Sequence, residues 1–222
     1  MALNPLAVLG MTVSGGWMLY RGVQRYMSPA NQLKRQLGAH PRRTLAELPE
    51  GTAGRIVGRA GSIEDILEAP LTGRKCVYYT AIVEVSDGPN WREIIREDRA
   101  VMFTIDDGTA RAIVDPRNSK VALSFDGSSD SGTFDNPTER EQAFLDAHET
   151  SGMHGKLNRN LRYREAVIEL GKTIAIFGAA VREPDPTALP EPGYRGDAPT
   201  RLRMTSSPRH PMLISDSPAA TR

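Results

Sequence analysis

The chain has 222 residues, with 28 lysines and arginines, 27 aspartates and glutamates, and one cysteine, Cys76. This length accommodates one ordinary domain with extensions. A single cysteine excludes a disulfide-stapled scaffold and every zinc module that needs several cysteine ligands, including the RING type. The formal net charge of +1 conceals two segments of opposite charge.

The basic side chains are concentrated at the amino terminus. The first 43 residues carry six cations and no carboxylate, while residues 44–222 hold 22 cations against 27 carboxylates. Because binding to nucleic-acid phosphates needs a basic surface, we predict no nucleic-acid partner for the acidic body. The six cations are expected to contact membrane lipid and are Arg21, Arg25, Lys34, Arg35, Arg42 and Arg43.

Residues 1–27 predict a transmembrane anchor helix. Residues 1–20 have no charged side chain, and twenty helical residues span about 30 Å, the thickness of the bilayer's hydrocarbon core. Trp17 and Tyr20 lie at the end where aromatic rings favour the headgroups. A buried helix of a soluble domain is the main alternative, since Thr12, Ser14 and three glycines dilute the segment.

The charges that follow this segment predict its orientation. With cations only on the carboxyl side, the protein is expected to be a single-pass membrane protein with a cytoplasmic C-terminal domain. Residues 28–50 are interpreted as a basic connector along the membrane surface. Gly10 and Ser14 form a small-xxx-small pattern that permits self-association of the anchor.

From residue 51 onward the sequence predicts β-structure. Asp107-Gly108 between two alternating segments indicates a hairpin. Gly54, Gly58 and Gly61 have the wrong spacing for a dinucleotide fingerprint and are interpreted as points of close backbone approach. The predicted strands are 54–61, 76–85, 91–96, 100–105, 110–114, 161–170, 173–180, 200–205 and 212–215, the last two as edge strands.

One helix is expected within this β region. Residues 124–137 predict a polar loop, and Thr138 and Glu141 form a capping box that begins a helix ending before Ser151-Gly152. Residues 124–160 are therefore a loop-helix insertion. The remaining segments are a proline-rich loop at 183–199 and a tail at 217–222. The predicted fold of residues 51–216 is mainly β (α+β), a small OB-like or barrel-like domain with one inserted helix.

Several segments, taken in order, resemble a known family. They are 70–79 (PLTGRKCVYY), Trp91, 103–116, 163–178 and 211–215. This arrangement resembles the GIDE-type domain, also called BAM for "beside a membrane", and covers about residues 51–216. In eukaryotes that domain occurs in membrane-embedded ubiquitin ligases of mitochondria and chloroplasts, next to a RING. The chain looks like a prokaryotic member without the RING, so the resemblance implies recognition near a membrane but does not imply ligase activity.

The candidate chemical groups each have a simpler structural interpretation. Cys76 heads an apolar strand and is interpreted as a small buried hydrophobe instead of a nucleophile. His148 and His154, even with Glu149, do not match a metal signature, and a capping or surface role is favoured. Asp106-Asp107 next to Gly108 is interpreted as turn chemistry instead of a carboxylate pair.

Two charged strand segments raise the possibility of a binding face. Residues 163–165 (Tyr-Arg-Glu) and 91–93 (Trp-Arg-Glu) combine aromatics with charges, as oligomer-binding barrels do. Charges on the solvated face of a strand are the favoured interpretation. We predict no catalytic, cofactor-binding or metal-binding residue, and no cofactor.

The sequence therefore favours a membrane-anchored, non-catalytic binding or scaffolding module with an unknown protein partner. One alternative is an enzyme, either a ubiquitin-ligase-family relative by resemblance alone or a hydrolase. Another is a structural envelope protein that forms oligomers in the membrane.

Overall fold

The computed structural model describes residues 28–131, 137–148, 160–185, 200–207 and 209–222. The described part of the chain is mainly β, with 51% of its residues in strands, and includes a closed five-stranded barrel. The expected anchor, residues 1–27, lies outside the described residues. Within the described ranges, no helix is both long enough and apolar enough to cross a membrane.

Three helices and thirteen strands make up the described structure. The helices are α1 (Pro29–Ala39), α2 (Glu139–Ala147) and α3 (Pro218–Thr221). The strands are β1 (Arg42–Arg43), β2 (Ala53–Ser62), β3 (Leu67–Glu68), β4 (Lys75–Asp87), β5 (Asn90–Ala100), β6 (Phe103–Asp106), β7 (Arg111–Val114), β8 (Lys120–Ala122), β9 (Gly127–Ser131), β10 (Leu161–Glu169), β11 (Thr173–Pro184), β12 (Thr200–Thr205) and β13 (Leu213–Ser215).

The barrel closes in the order β2-β6-β7-β12-β11 and back to β2. All neighbours are antiparallel except β7 and β12, which run parallel. The predicted hairpin at Asp107-Gly108 is confirmed: it joins β6 to β7, and Gly108 adopts a φ of +85°, which glycine tolerates without strain.

Buried aliphatic and aromatic side chains fill the barrel. Gly58 allows β2 to lie close against β6, because a Cβ at this position would stand 2.5 Å from the carbonyl oxygen of Asp106. The expected close approach of backbones is confirmed there. The largest fully buried side chains of this core are Phe103, Ile56, Ile105, Ile168, Ile174, Ile176, Met204 and Met212.

A second antiparallel sheet is built from segments inserted between the barrel strands. β9, β10 and β4 lie side by side, and the other edge of β4 pairs first with β3 and then with β5. Helix α2 covers one face of this sheet through Phe144 and Leu145. The capping box of Thr138 and Glu141 that begins α2 is confirmed.

Several expectations about the strands are wrong in detail. Residues 127–131 form β9 inside the segment expected to be a loop, because β10 offers them a full antiparallel ladder. β12 and β13 each have two neighbours, so neither is an edge strand. β10 and β11 are both present, but the turn at Gly171 carries the chain from the second sheet into the barrel.

The expected connector and tail both pack on the barrel. Ser28 caps α1 by accepting the N–H of Asn31, and Leu33 and Leu37 are buried against strands β8, β11 and β13. At the other end of the chain, α3 packs against α1. The buried guanidinium of Arg55 donates to the carbonyl oxygens of Ala220 and Arg222, each at 3.0 Å.

Candidate functional site

Cys76 is buried as the sequence predicts. Its side chain is fully enclosed beneath α2. Burial, followed by repulsion from the nearby carboxylate of Glu165, raises the pKa of the thiol to about 11. The thiol therefore stays protonated at neutral pH, which is the opposite of what a cysteine nucleophile requires.

His148 has the predicted capping role at the end of α2. Its Nδ1 lies 2.8 Å from the carbonyl oxygen of Phe144, and its Nε2 lies 3.1 Å from Glu97. These contacts fix the imidazole between the helix and β5. His154 and Glu149 lie outside the described residues. Among those described, no group of three or more histidine, cysteine or acidic side chains is placed to hold a metal ion.

Asp106 and Asp107 stabilise the hairpin turn, as predicted. The N–H of Gly108, and then Arg111, hold the pKa of Asp106 below its ordinary value. Burial opposes ionisation of Asp107, but hydrogen bonds from the N–H of Leu45 at 2.6 Å and from Thr109 outweigh it and lower the pKa of Asp107 as well. Both carboxylates are ionised acceptors, so neither is a proton donor near neutral pH.

The expectation that 163–165 presents its charges to solvent is wrong for Glu165. The side chain of Glu165 is only 1% exposed. It accepts the N–H of Leu71 at 2.8 Å and the hydroxyl of Thr72, and the guanidinium of Arg74 lies 3.6 Å away. The segment before β4 covers this face of β10 and supplies the donors that a buried carboxylate needs.

Further ion pairs extend from Arg74 into the barrel. Asp126 accepts two hydrogen bonds from Arg74, which lowers the pKa of the Asp126 carboxyl. Lys172 lies 2.9 Å from the nearly buried Asp216 and 3.6 Å from Asp126. This ion-pair network therefore joins the second sheet to the barrel.

The other expected charged segment, residues 91–93, lies in β5 and pairs with β4. Trp91 is half-buried and stacks against the guanidinium of Arg162, 4.4 Å from the ring centroid. Arg162 also pairs with Glu84 at 2.6 Å. Arg92 is exposed, as predicted for a solvated charge. Of these cations, Arg162 is neutralised by a neighbour on the same sheet.

The barrel surface carries a groove that crosses β6 and β7, called here the barrel groove. It consists of two adjoining recesses of about 650 and 560 Å³, and Thr104 and Arg111 line both. Arg42 and Arg59 line the first recess, while Arg182 and Arg201 line the second.

Three arginines of the barrel groove are available to an external ligand. Arg111 pairs with Asp106 at 3.2 Å, and Arg201 pairs with Glu183 at 2.7 Å. Arg42, Arg59 and Arg182 are exposed and have no carboxylate partner within the part of the chain that the structure describes. The groove can therefore offer these cations to acidic groups on a partner.

Sequence reasoning did not single out this groove. Arg42 belongs to the cluster of cations predicted to contact membrane lipid, and Arg59 and Arg182 belong to no motif. The sequence feature that indicates the groove is Arg59, a charged residue between Gly58 and Ala60 in a strand whose other central positions are buried. The groove forms only when β2, β6, β7 and β12 meet in the barrel.

Comparison with known proteins identifies no relative: no family model, curated protein or solved structure matches the chain.

Proposed function

We propose that the chain is a membrane-tethered, non-catalytic binding module whose barrel groove recognises an acidic segment of a partner protein. One observation carries this proposal. The side chains capable of chemistry, Cys76, His148 and Asp107, have structural roles. Arg42 and Arg59, in contrast, are exposed in the groove and form no ion pair with any residue that the structure describes, although Asp106 and Asp107 also line their recess.

We also propose that the barrel is of the OB type. The barrel order β2-β6-β7-β12-β11, with β7 and β12 parallel, supports an OB-type barrel. The GIDE-type resemblance remains a proposal supported by the order of the motifs. The tether is supported by the uncharged residues 1–20 and the cations after them.

A crosslinking experiment tests the groove. A photo-crosslinking amino acid replaces Arg182 in the full chain expressed in membranes, and the matched control replaces Arg92 on the second sheet, which is also exposed. We expect a stoichiometric crosslink to one foreign protein from position 182 and none from position 92. Crosslinks only between copies of this chain would instead favour the structural envelope protein.

A charge-reversal pair tests the chemistry of recognition. Arg59→Glu with Arg182→Glu is expected to abolish the crosslink from a probe at a third groove position, Ile113, because an acidic partner would be repelled. Lys75→Glu with Arg92→Glu changes the net charge equally on the second sheet and is expected to leave the crosslink intact. Equal loss in both variants would contradict specific recognition by the groove.

A further inference from the structure

A separate cleft lies at the other side of the barrel, called here the Lys120 cleft. It has a volume of about 610 Å³ and is bordered by α1, β8, β11 and the connection from β12 to β13. It shares no lining residue with the barrel groove. A ligand of the Lys120 cleft would therefore bind at a different site from the partner of the barrel groove.

The lining of the Lys120 cleft is basic. Lys120, Arg209 and His210 line it, and no aspartate or glutamate does. Neither Lys120 nor Arg209 has an ion-pair partner among the residues that the structure describes, although most arginines of the body pair with carboxylates. Cations gathered in a recess without counter-charge create a positive potential that attracts an anion.

The loop that carries Arg209 and His210 is held in place by hydrogen bonds. Ser206 Oγ donates to the carbonyl oxygen of Asn118 at 2.8 Å and accepts the N–H of Met212 at 3.0 Å. Ser207 Oγ accepts the N–H of His210 at 3.1 Å. Because these contacts lie within the chain itself, an anion would bind with a small cost of loop ordering.

The rest of the lining includes apolar side chains. Phe177, Pro211 and Leu213 line the cleft beside the cations. The ring of Phe177 is fixed by stacking on His40, with centroids 4.0 Å apart and planes inclined by 16°. A recess with both cations and a fixed aromatic surface suits a ligand that carries an anionic group next to an apolar group.

We propose that the Lys120 cleft binds a phosphate group attached to an apolar moiety, with the phosphate held by Lys120 and Arg209 and the apolar part against Phe177 and Leu213. The phosphate can belong to a membrane lipid headgroup or to a soluble phosphate compound. Both sources present the same anionic phosphate to the cleft. This proposal does not depend on the function proposed for the barrel groove.

Calorimetric titration of the full chain in a non-ionic detergent tests the proposal and separates the two sources. The probes are dihexanoyl phosphatidic acid, inorganic phosphate and dihexanoylglycerol, which has the same acyl chains without the phosphate. We expect saturable binding of phosphatidic acid and no binding of dihexanoylglycerol. Weaker binding of inorganic phosphate would indicate a lipid headgroup, whereas equal binding would indicate a soluble phosphate and remove the apolar part of the proposal.

Two matched double variants complete the experiment. Lys120→Gln with Arg209→Gln is expected to weaken binding of phosphatidic acid by about tenfold or more, since it removes two charge-assisted contacts. Lys75→Gln with Arg92→Gln makes the same change in net charge at exposed positions of the second sheet and is expected to leave affinity unchanged. Equal weakening in both variants, or no binding of either phosphate probe by the unmodified chain, would overturn the proposal.

Discussion

At the scale of single residues, the burial of the Glu165 carboxylate leads to a prediction about the free energy of unfolding. Replacing Glu165 with alanine leaves the N–H of Leu71 and the hydroxyl of Thr72 without their acceptor, while Arg74 keeps Asp126 and Glu169 as partners. Leaving a buried donor without its acceptor costs about 1–3 kcal/mol of unfolding free energy. Urea denaturation of the unmodified chain and of Glu165→Ala measures the difference in unfolding free energy.

Glu169 provides the matched control for that measurement. It pairs with the same Arg74 at 2.9 Å, but its side chain is 43% exposed. We expect Glu169→Ala to cost less than about 1 kcal/mol, because solvent screens an exposed pair. Similar losses from both substitutions would show that burial of Glu165 does not determine its contribution.

Burial of the Cys76 thiol predicts that this side chain is protected from thiol reagents in the folded chain. Since the side chain is enclosed and its pKa is raised to about 11, a thiol reagent at neutral pH is expected to modify Cys76 only as fast as the protein unfolds. Lys75→Cys in a Cys76→Ala chain, one position away and exposed, is expected to react rapidly. Rapid labelling of Cys76 in the folded chain would contradict its structural role.

At the scale of elements, Asp107 connects the β6–β7 turn to the segment after β1 through the N–H of Leu45. Its pKa is lowered from an ordinary value of 3.8, so its stabilisation is complete above that value and is lost as the pH falls through the lowered folded-state pKa. Asp107→Asn is expected to flatten the loss of stability below pH 3.8. Urea midpoints measured across acid pH test this, and an unchanged slope would contradict it.

Helix α3 depends on a second contact between distant elements. Deleting residues 218–222 removes the carbonyl oxygens that accept from Arg55 and leaves its buried charge without them. We expect a loss of about 3 kcal/mol in unfolding free energy. In the truncated chain, Arg55→Met is expected to restore part of that loss by removing the charge. Failure of Arg55→Met to restore any stability would show that other contacts of α3 dominate.

The elements that sequence predicts well are those with local signals. Asp107-Gly108 and the capping box at Thr138 each determine a turn or helix start within a few residues. β9 has no such signal, since its Gly-Ser-Ser-Asp-Ser sequence becomes a strand only when β10 lies beside it. The same reasoning explains the barrel groove: Arg59 on β2 and Arg182 on β11 line its two recesses. These strands pair although they are more than a hundred residues apart, which composition and periodicity do not reveal.

At the scale of the whole molecule, a network of ion pairs connects the two sheets. Lys172 follows β10 and reaches Asp216 just after β13, while Arg74 and Asp126 complete the path from the second sheet. The barrel and the second sheet are therefore expected to unfold together. The variant Lys172→Met is expected to weaken this coupling, which would appear as separate unfolding transitions by tryptophan fluorescence, from Trp91 in the second sheet, and by circular dichroism.

The membrane tether is the remaining prediction at this scale. The full chain is expected to pellet with membranes and to resist alkaline carbonate, because residues 1–20 carry no charge and cations follow them. Deleting residues 1–27 is expected to release a folded body, since α1 begins at its own cap, Ser28, and buries Leu33 and Leu37 against the barrel. A control with Lys34→Gln and Arg35→Gln removes two surface cations and is expected to stay in the membrane. Carbonate extraction of the unmodified chain would show that the attachment is peripheral, and retention of the truncated chain would place it in the body.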